Sequence, residues 1–270
     1  MDKWDDSLYE SLKEGDTDPK MGKVIKFLVL QSKGFIVYID TNIEIQWHHS
    51  DEINTNDEFG DVLNRVAYLE NISRFVKELN DDCERMQSIK RQIAEGIARY
   101  LDYKKLSLSK EILSLVESEI LALNRKVSWR WYFTAAYSSA AICLFFWILL
   151  WLDRDHYSSM FGSTGFEVIL GGLMGAQGAI SSVVSRGKAL SLDANAGKPI
   201  HTVEAISRII VGIVGASLVS LAIKAGILLG GTHFSGNQFA VLLTFALVAG
   251  ASERFVPNLI GKIENIHHAN

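Results

Sequence analysis

The pattern of apolar and polar positions changes sharply near residue 130 of this 270-residue chain. Up to that point charged and polar residues interrupt the apolar ones every few positions, which is typical of a domain in water. Beyond it lie four long apolar stretches, at about 132–152, 166–185, 209–229 and 239–255. A helix of about 20 apolar residues crosses the hydrocarbon core of a bilayer. The pattern therefore predicts an α-helical integral membrane protein with four transmembrane helices in a domain over residues 129–260.

Residues 21–128 predict a small cytosolic α+β domain in front of the membrane helices. Three strands are predicted between residues 23 and 49, with a helix as the alternative for the first of them. The last strand is indicated by Ile43, Ile45 and Trp47, which alternate with polar residues. The half-buried apolar face of this strand is the candidate surface for a ligand or a partner.

Helical periodicity follows the strands. It predicts helices from about Val62 to Leu79, from Asp82 to Lys104 and from Ser109 to Val127, with Ser107 or Ser109 as the N-cap of the third. The last two form an α-hairpin that leads into the first span. The connecting stretch, NRKVSWRW, contains neither Gly nor Pro, so we expect a rigid connection.

The two ends of the chain are predicted to lie outside these domains. Residues 1–20 form either an acidic tail or a short amphipathic helix, because Trp4, Leu8, Tyr9 and Leu12 share one helical face. Residues 261–270 are expected to be a C-terminal cytosolic tail. The first residues contain no apolar segment, so we expect no cleavable signal peptide.

Basic residues predict the orientation in the membrane, because they concentrate in cytoplasmic loops. Those that flank the predicted spans on one side are Arg125, Lys126, Arg130, Arg186, Lys188, Lys198, Arg208, Arg254 and Lys262. The loops on the other side, 153–165 and 231–238, contain a single basic residue, Arg154. We therefore expect a multi-pass protein with both termini in the cytoplasm.

Charge and cysteine content argue against several classes of function. Residues 1–130 contain 24 acidic and 19 basic residues without a basic stripe, so nucleic-acid binding is not expected. Cys83 and Cys143 have no CxxC neighbour, which argues against a disulfide framework or a zinc site. His48 and His49 are adjacent on a strand and point to opposite faces, so they are poorly placed to bind one metal ion together. Since no catalytic or phosphate-binding motif is recognisable, we expect neither an enzyme nor a cofactor.

Small residues are concentrated in the second and third predicted spans. The spacings Gly171-xxx-Gly175 and Gly175-xxx-Ala179 place small residues on one helix face, where two backbones can approach closely. Such a face packs the helices of one chain together, which is the simpler account, or joins neighbouring subunits, or lines a narrow path. The candidate packing or pore residues are Gly171, Gly175, Gln177, Gly178, Ser181, Ser182, Gly212 and Gly215.

Charged residues lie near both ends of the predicted spans. On the outer side Glu167 and Lys224 fall at comparable depth, and snorkelling of Lys224 to the interface is a simpler account than an ion pair. The candidates on the inner side are Arg186, Arg208, Glu253 and Arg254. Glu253 can pair with either of the first two. These inner charges are interface anchors or, in an oligomer, a charged ring at the mouth of a pore.

Three stretches carry a resemblance to known proteins: VILGGLMGAQGAISSVVSRGKALSLDANAG, ISRIIVGIVGASLVSLAIKAGILLG and VAGASERFVPNLI. Over about 129–260 the chain resembles a group of largely uncharacterised bacterial four-helix inner-membrane proteins. That group carries a Gly-rich second helix, a Leu-x-x-Asp…Ala-Gly inner loop and a Ser-Glu-Arg-x-Val-Pro ending on the fourth helix. The resemblance implies a bacterial inner membrane but no established activity. The positions it marks for mutation are Asp193, Gly197, Glu253, Arg254 and Pro257.

The predicted architecture favours a membrane effector. In this hypothesis the cytosolic domain senses a small-molecule or protein signal and controls a homo-oligomer of four-helix domains. The oligomer opens or perturbs the bilayer, an architecture analogous to that of effectors in bacterial antiviral defence. A membrane-anchored scaffold or regulatory protein is the first alternative, although one span would suffice as an anchor. A small transporter subunit is the second, although the spans show no inverted repeat.

Overall fold

The computed structural model of the protein describes residues 6–50, 57–78, 83–187, 192–229 and 237–252. Within these ranges the chain is mostly helical and contains one three-stranded sheet. The chain divides into two compact units, Met1–Val127 and Ser128–Asn270. We call them the N-terminal unit and the bundle unit.

The helices and strands have the following bounds. The strands are β1 (Ile25–Ser32), β2 (Phe35–Asp40) and β3 (Ile45–His49). The helices are α1 (Asp6–Ser11), α2 (Asp57–Ser73), α3 (Cys83–Tyr103), α4 (Leu106–Leu152), α5 (Arg154–Ser185), α6 (Lys198–Lys224) and α7 (Gln238–Ala251). A short 3-10 turn, Arg74–Glu78, follows α2.

The three predicted strands are confirmed, and they form an antiparallel sheet in the order β1-β2-β3. The first stretch is therefore a strand rather than a helix. β2 lies in the centre, and all six of its side chains are buried. Phe35 and Val37 face a core shared with α2, α3 and the first half of α4, whereas Ile36 and Tyr38 face Tyr9 of α1. Alternation along β2 thus gives the sheet two covered faces.

The connection from the helical hairpin to the first predicted span is a continuous helix. α4 runs for 47 residues through NRKVSWRW without a break, as the absence of Gly and Pro predicted. The predicted cap is wrong, because α4 begins at Leu106, before either serine. Ser109 lies inside the helix, where its hydroxyl donates a hydrogen bond to the Gly96 carbonyl of α3 (2.8 Å). The serine therefore joins α4 to α3.

Three helices, α4, α5 and α6, are long enough and apolar enough to cross a membrane. α7 is also apolar but has only 14 residues. At 1.5 Å per residue it reaches about 21 Å, which is less than the roughly 30 Å of a hydrocarbon core. The helix ends at Ala251 because Ser252 is extended, with φ −112° and ψ 101°. Glu253, Arg254 and Pro257, together with the predicted C-terminal tail, lie outside the described residues.

The helices that contain the second and third predicted spans begin before the predicted span limits. Most of the predicted outer loop 153–165 is helical, because α5 begins at Arg154 and is interrupted at Gly162, where φ is +72°. Glycine adopts this conformation without a steric penalty. α6 begins at Lys198, well before residue 209, with Gly197 as its N-cap and Pro199 in its first turn. Gly226, at φ +72°, ends it in a Schellman motif.

Candidate functional site

Three helices of the bundle unit cross at glycines. These are Gly175 of α5, Gly212 of α6 and Gly250 of α7. A Cβ atom on Gly250 would lie 2.6 Å from the Cα of Gly175, and one on Gly212 would lie 3.0 Å from the Gly175 carbonyl oxygen. A Cβ atom on Gly175 would overlap the backbone carbonyl of Gly212. The three backbones approach so closely that a side chain at any of these positions must push two helices apart.

Two further glycines of α5 that were named as packing candidates also contact helices of the same chain. A Cβ atom on Gly171 would overlap the hydroxyl of Ser220 in α6, which donates to the Ala216 carbonyl of its own helix (2.8 Å). A Cβ atom on Gly178 would overlap the Leu247 carbonyl of α7. The small-residue face of α5 therefore packs against α6 and α7 of the same chain, which is the simplest of the three accounts given above.

The polar residues of α5 do not line one common path. Gln177 is half-buried, and its side-chain amide donates to the Ala140 carbonyl of α4 (2.8 Å). Ser181 is exposed and donates to the Gln177 carbonyl of its own helix. Ser182 lines a cavity between α5, α6 and α7. The three polar candidates therefore have different surroundings: Gln177 joins α5 to α4, Ser181 is exposed, and Ser182 lines the cavity.

Arg208 of α6 has two neighbours that the sequence reasoning missed. Its guanidinium contacts the Glu204 carboxylate at 3.2 Å and lies 5.9 Å from the centre of the Tyr132 ring of α4. The four-residue spacing from Glu204 is the usual spacing of helical ion pairs, so this partner could have been found from the sequence. Arg186 is the exposed C-cap residue of α5.

Glu167 and Lys224 form an ion pair between α5 and α6. The carboxylate and ammonium groups are 2.5 Å apart, and about a quarter of each side chain is exposed. The preference for snorkelling of Lys224 is therefore wrong, because this carboxylate is within reach. Lys224 is 16 residues beyond Arg208, or about 24 Å along an ideal helix. The Glu204–Arg208 and Glu167–Lys224 pairs thus lie toward opposite ends of α6.

Asp193 and Gly197 belong to the turn that starts α6. The Asp193 side chain accepts a hydrogen bond from the Asn195 backbone N–H (2.9 Å), which is an Asx-turn. The Asp193 carbonyl accepts from the Ser128 hydroxyl of α4 (3.4 Å). Gly197 follows as the N-cap of α6. The two positions shape the loop and attach it to α4.

His201, in the first turns of α6, is a buried residue that the sequence reasoning missed. Only 1% of it is exposed, and its ring lies 6.2 Å from the ring of Trp131 in α4. Neither ring nitrogen has a hydrogen-bond partner among the described residues. No local pattern distinguishes this histidine, because its burial depends on the distant α4.

A cavity of about 690 Å³ lies among α5, α6 and α7. Gly215, a predicted packing residue, lines it together with many other small or apolar residues of the three helices. Among the described residues, the polar part of its lining is formed by Ser182, Glu204, Ser207, Arg208 and Ser252. Within the part of the chain that the structure describes, the cavity therefore combines an apolar wall with the acidic side chain of Glu204 and the basic side chain of Arg208.

The predicted partner surface on β3 is already in contact with the helical core. Ile43, Ile45 and Trp47 are half-buried and pack against the core of the N-terminal unit. The Trp47 ring meets the Phe59 ring of α2 edge-on at 5.2 Å. Ile43 has φ +62°, which is unusual for a β-branched residue. This face stabilises the unit, and a ligand could reach it only by displacing these contacts.

The opposite face of the sheet holds a buried polar cluster that the sequence reasoning missed. Asp18 is fully buried and accepts a hydrogen bond from the Tyr38 hydroxyl (2.8 Å). The same carboxylate oxygen lies 3.5 Å from Nδ1 of His48, whose ring meets Tyr9 edge-on at 4.9 Å. Burial raises the pKa of Tyr38, and the bond to Asp18 raises it further. Burial lowers the pKa of His48 against the opposing effect of Asp18.

Asp40 connects the end of β2 to the N-terminal segment. Its carboxylate accepts hydrogen bonds from the Lys23 ammonium (2.8 Å) and the Gln46 amide (3.2 Å). Burial alone would raise the pKa of Asp40, but the bonds from Lys23 and from backbone N–H groups lower it below its ordinary value. Lys23 also contacts Glu44 at 2.7 Å. Together with Asp18, these contacts hold residues 9–24 on the sheet.

The described residues contain no group of three or more His, Cys, Asp or Glu side chains that could hold a metal ion. Comparison of the chain with family models, curated proteins and solved structures found no match. The resemblance of residues 129–260 to bacterial four-helix proteins therefore stays a prediction.

Proposed function

We propose that this protein is a four-span effector of the bacterial inner membrane. In this proposal the N-terminal unit lies in the cytoplasm and binds a small-molecule or protein signal, and the bundle unit forms a homo-oligomer that perturbs the bilayer. The observation that carries the proposal is the continuity of α4. This one helix supplies Leu113 and Val116 to the core of the N-terminal unit, and Tyr132 and Ala136 to the core of the bundle unit.

The surface of the apolar helices supports a position in lipid. Phe145 of α4 and Val211 of α6 are each 58% exposed, and Ile210 is 53% exposed. Exposure of apolar surface to water costs about 25 cal/mol for each Å², and acyl chains remove this cost. Many large apolar side chains of α4 and α6 share this exposure, which favours a hydrocarbon environment over water.

In the proposed effector, α4 transmits the signal by moving against the other helices of the bundle unit. The low burial of its most apolar stretch supports this role. In its most apolar 18-residue stretch 11% of the residues are buried, against 50% for the corresponding stretch of α5. The bond from Gln177 to the Ala140 carbonyl and the stacking of Trp151 on Phe239 of α7 attach α4 to the bundle. Besides the core contacts of Tyr132 and Ala136, this stretch of α4 is therefore less buried in the bundle than α5 is, and it can shift more easily.

A membrane-anchored scaffold is the second candidate function. It is favoured by the glycine crossing, because backbones in direct contact at Gly175, Gly212 and Gly250 resist rearrangement. In that case the bundle would hold the N-terminal unit at the membrane without changing shape. The two functions differ in whether α4 must be continuous for activity.

The experiment compares Lys126→Pro with Lys126→Ala in bacteria that express the full chain. Lys126 is exposed on α4, so the alanine variant keeps the helix, whereas proline removes a helical hydrogen bond and costs about 3 kcal/mol. Membrane potential and dye entry are measured after equal insertion of both variants has been verified. For an effector, we expect the wild type and Lys126→Ala to depolarise the cells and Lys126→Pro to lose this effect.

Two results would contradict an effector that opens on overexpression without added signal. Normal membrane potential with verified insertion of the wild type excludes constitutive opening of the bilayer and favours the scaffold. Equal depolarisation by all three chains shows that the bundle unit acts without the N-terminal unit, so the proposed control through α4 is wrong.

A further inference from the structure

The cavity between α5, α6 and α7 has the size and lining of a ligand site. Its volume of about 690 Å³ is within the range of small-molecule pockets, about 300–1,000 Å³. Val211, Val214 and Ala249 are among the residues of its long apolar wall. The polar residues Ser182, Glu204, Ser207, Arg208 and Ser252 also line it. This combination suits a molecule with an apolar chain and a polar head.

The charges in the cavity restrict the head group. Arg208 and Glu204 form an ion pair at 3.2 Å, and 32% and 39% of their side chains are exposed. A purely anionic head would meet repulsion from Glu204, and a purely cationic one would meet repulsion from Arg208. A zwitterion places a charge of opposite sign on each group. The pair therefore complements a head group that carries an anion and a cation a few atoms apart.

Arg208 is also held in position for an anion. The Tyr132 ring of α4 lies 5.9 Å from its guanidinium, which is within the range of a cation–π contact. Guanidinium groups bind phosphate through parallel hydrogen bonds. The Ser207 hydroxyl, next to Arg208 in the lining, supplies another donor. These groups form one phosphate-binding side, and Glu204 forms the side that accepts N–H donors.

We propose that this cavity binds a phospholipid with a phosphoethanolamine head group. The phosphate binds Arg208 and Ser207, the primary ammonium donates to Glu204, and one acyl chain lies along Val211 and Val214. A choline head group lacks the N–H donors for Glu204, and a glycerol head group lacks the positive charge. The proposal rests on the membrane location in the proposed function, because the lipid comes from the surrounding leaflet.

The test is native mass spectrometry of the full-length protein with phospholipids of matched chains and three head groups: phosphoethanolamine, phosphocholine and phosphoglycerol. The wild type should retain the phosphoethanolamine lipid about tenfold better than the other two, the value of one charge-assisted hydrogen bond. Glu204→Gln should lose the preference for the phosphoethanolamine lipid over the phosphocholine lipid. Arg208→Gln should weaken the retention of both of these lipids. The matched control is Glu95→Gln, which alters another pair at the same spacing, with Arg99 of α3.

A second pair of variants tests the apolar wall. Val214→Trp fills the cavity from α6 and should abolish retention of the lipid, whereas Val203→Trp, on α6 but outside the lining, should not. Equal retention of all three head groups by the wild type, or unchanged preference in Glu204→Gln, overturns the proposal. Cross-linking of two copies through Val214→Cys would also overturn it, because a second subunit would then occupy the cavity.

The lipid site and the effector function fail separately. Failure of lipid retention in a protein that fractionates with membranes contradicts the lipid site alone. Normal membrane potential in cells whose purified protein retains the lipid contradicts the effector alone. Absence of the protein from the membrane fraction contradicts both.

Discussion

The contact of Gly178 with α7 predicts a loss of stability from a single added methyl group. In Gly178→Ala, the new Cβ atom would overlap the Leu247 carbonyl oxygen and lie 2.8 Å from the backbone nitrogen of Ala251. Both neighbours are backbone atoms, so a change of rotamer relieves neither contact. Ordinary contact begins at 3.4 Å, so the nitrogen alone requires α7 to move from 2.8 to 3.4 Å, a shift of about 0.6 Å.

The expected magnitude is the difference of two effects. Overpacking of a closely packed site costs about 1–3 kcal/mol. Alanine is favoured over glycine in a helix by about 1 kcal/mol, which offsets part of this loss. We therefore expect the free energy of unfolding of Gly178→Ala to fall by up to about 2 kcal/mol.

Gly165 in the same helix provides the matched control. A Cβ atom there has Phe161 Cβ as its nearest neighbour, at 3.7 Å, which is an ordinary contact. Gly165→Ala should therefore gain only the preference of alanine for a helix, up to about 1 kcal/mol. The same chemical change is thus expected to act in opposite directions at two positions of α5.

The assay is unfolding of the full-length protein in bicelles by increasing sodium dodecyl sulfate, followed by circular dichroism and tryptophan fluorescence. The reasoning is refuted if both variants are at least as stable as the wild type, because α7 then does not press against Gly178. Such a result would leave this face of α5 available to a neighbouring subunit. A destabilised Gly178→Ala would mean that loss of activity in any bulkier variant at this position reports a disrupted bundle rather than a blocked pore.

Two further predictions concern ionisable side chains: His48 of the N-terminal unit, and the Glu167–Lys224 pair of the bundle unit. Burial lowers the pKa of His48 in the folded state below the ordinary 6.5, so its stabilising effect is complete above pH 6.5 and declines as the pH falls from there toward the lower folded value. Amide exchange of residues 9–24, corrected for the intrinsic rate, should therefore show more opening at pH 5 than at pH 7, and an equal pH effect in His48→Gln would contradict this. The losses of stability from Glu167→Gln and Lys224→Met, added together, should exceed the loss from the double variant by about 1 kcal/mol or more. Additive losses in the same unfolding assay would show that the pair is not coupled.

Local signals in the sequence were sufficient for the strands and for the continuity of α4. Alternation around Ile45 and Trp47 predicted β3, and the absence of Gly and Pro after residue 123 predicted an unbroken helix. The start of α6 also has a local signal in Gly197 and Pro199. The hydropathy of the third span does not reveal this helix start, because hydropathy marks lipid contact rather than the first helical residue.

The buried polar sites could not be predicted in the same way. Asp18, Tyr38 and His48 are separated by 20 and 10 residues, and they meet only because the segment before β1 folds over the sheet. The glycines of α5 were recognised as a packing face, but the sequence left the partner helices open. Their partners follow from the relative positions of α6 and α7, which no spacing within α5 encodes.

The Glu167–Lys224 pair has a consequence for the biogenesis of the protein. The apolar part of α4 has 21 residues without a charge and can partition into a bilayer by itself during synthesis. α5 brings a carboxylate whose partner is made 57 residues later, which is several seconds at about 5–20 residues per second. In the proposed membrane location, we therefore expect integration of α5 to be completed only when α6 arrives, so that these two helices enter as a hairpin and α4 enters ahead of them.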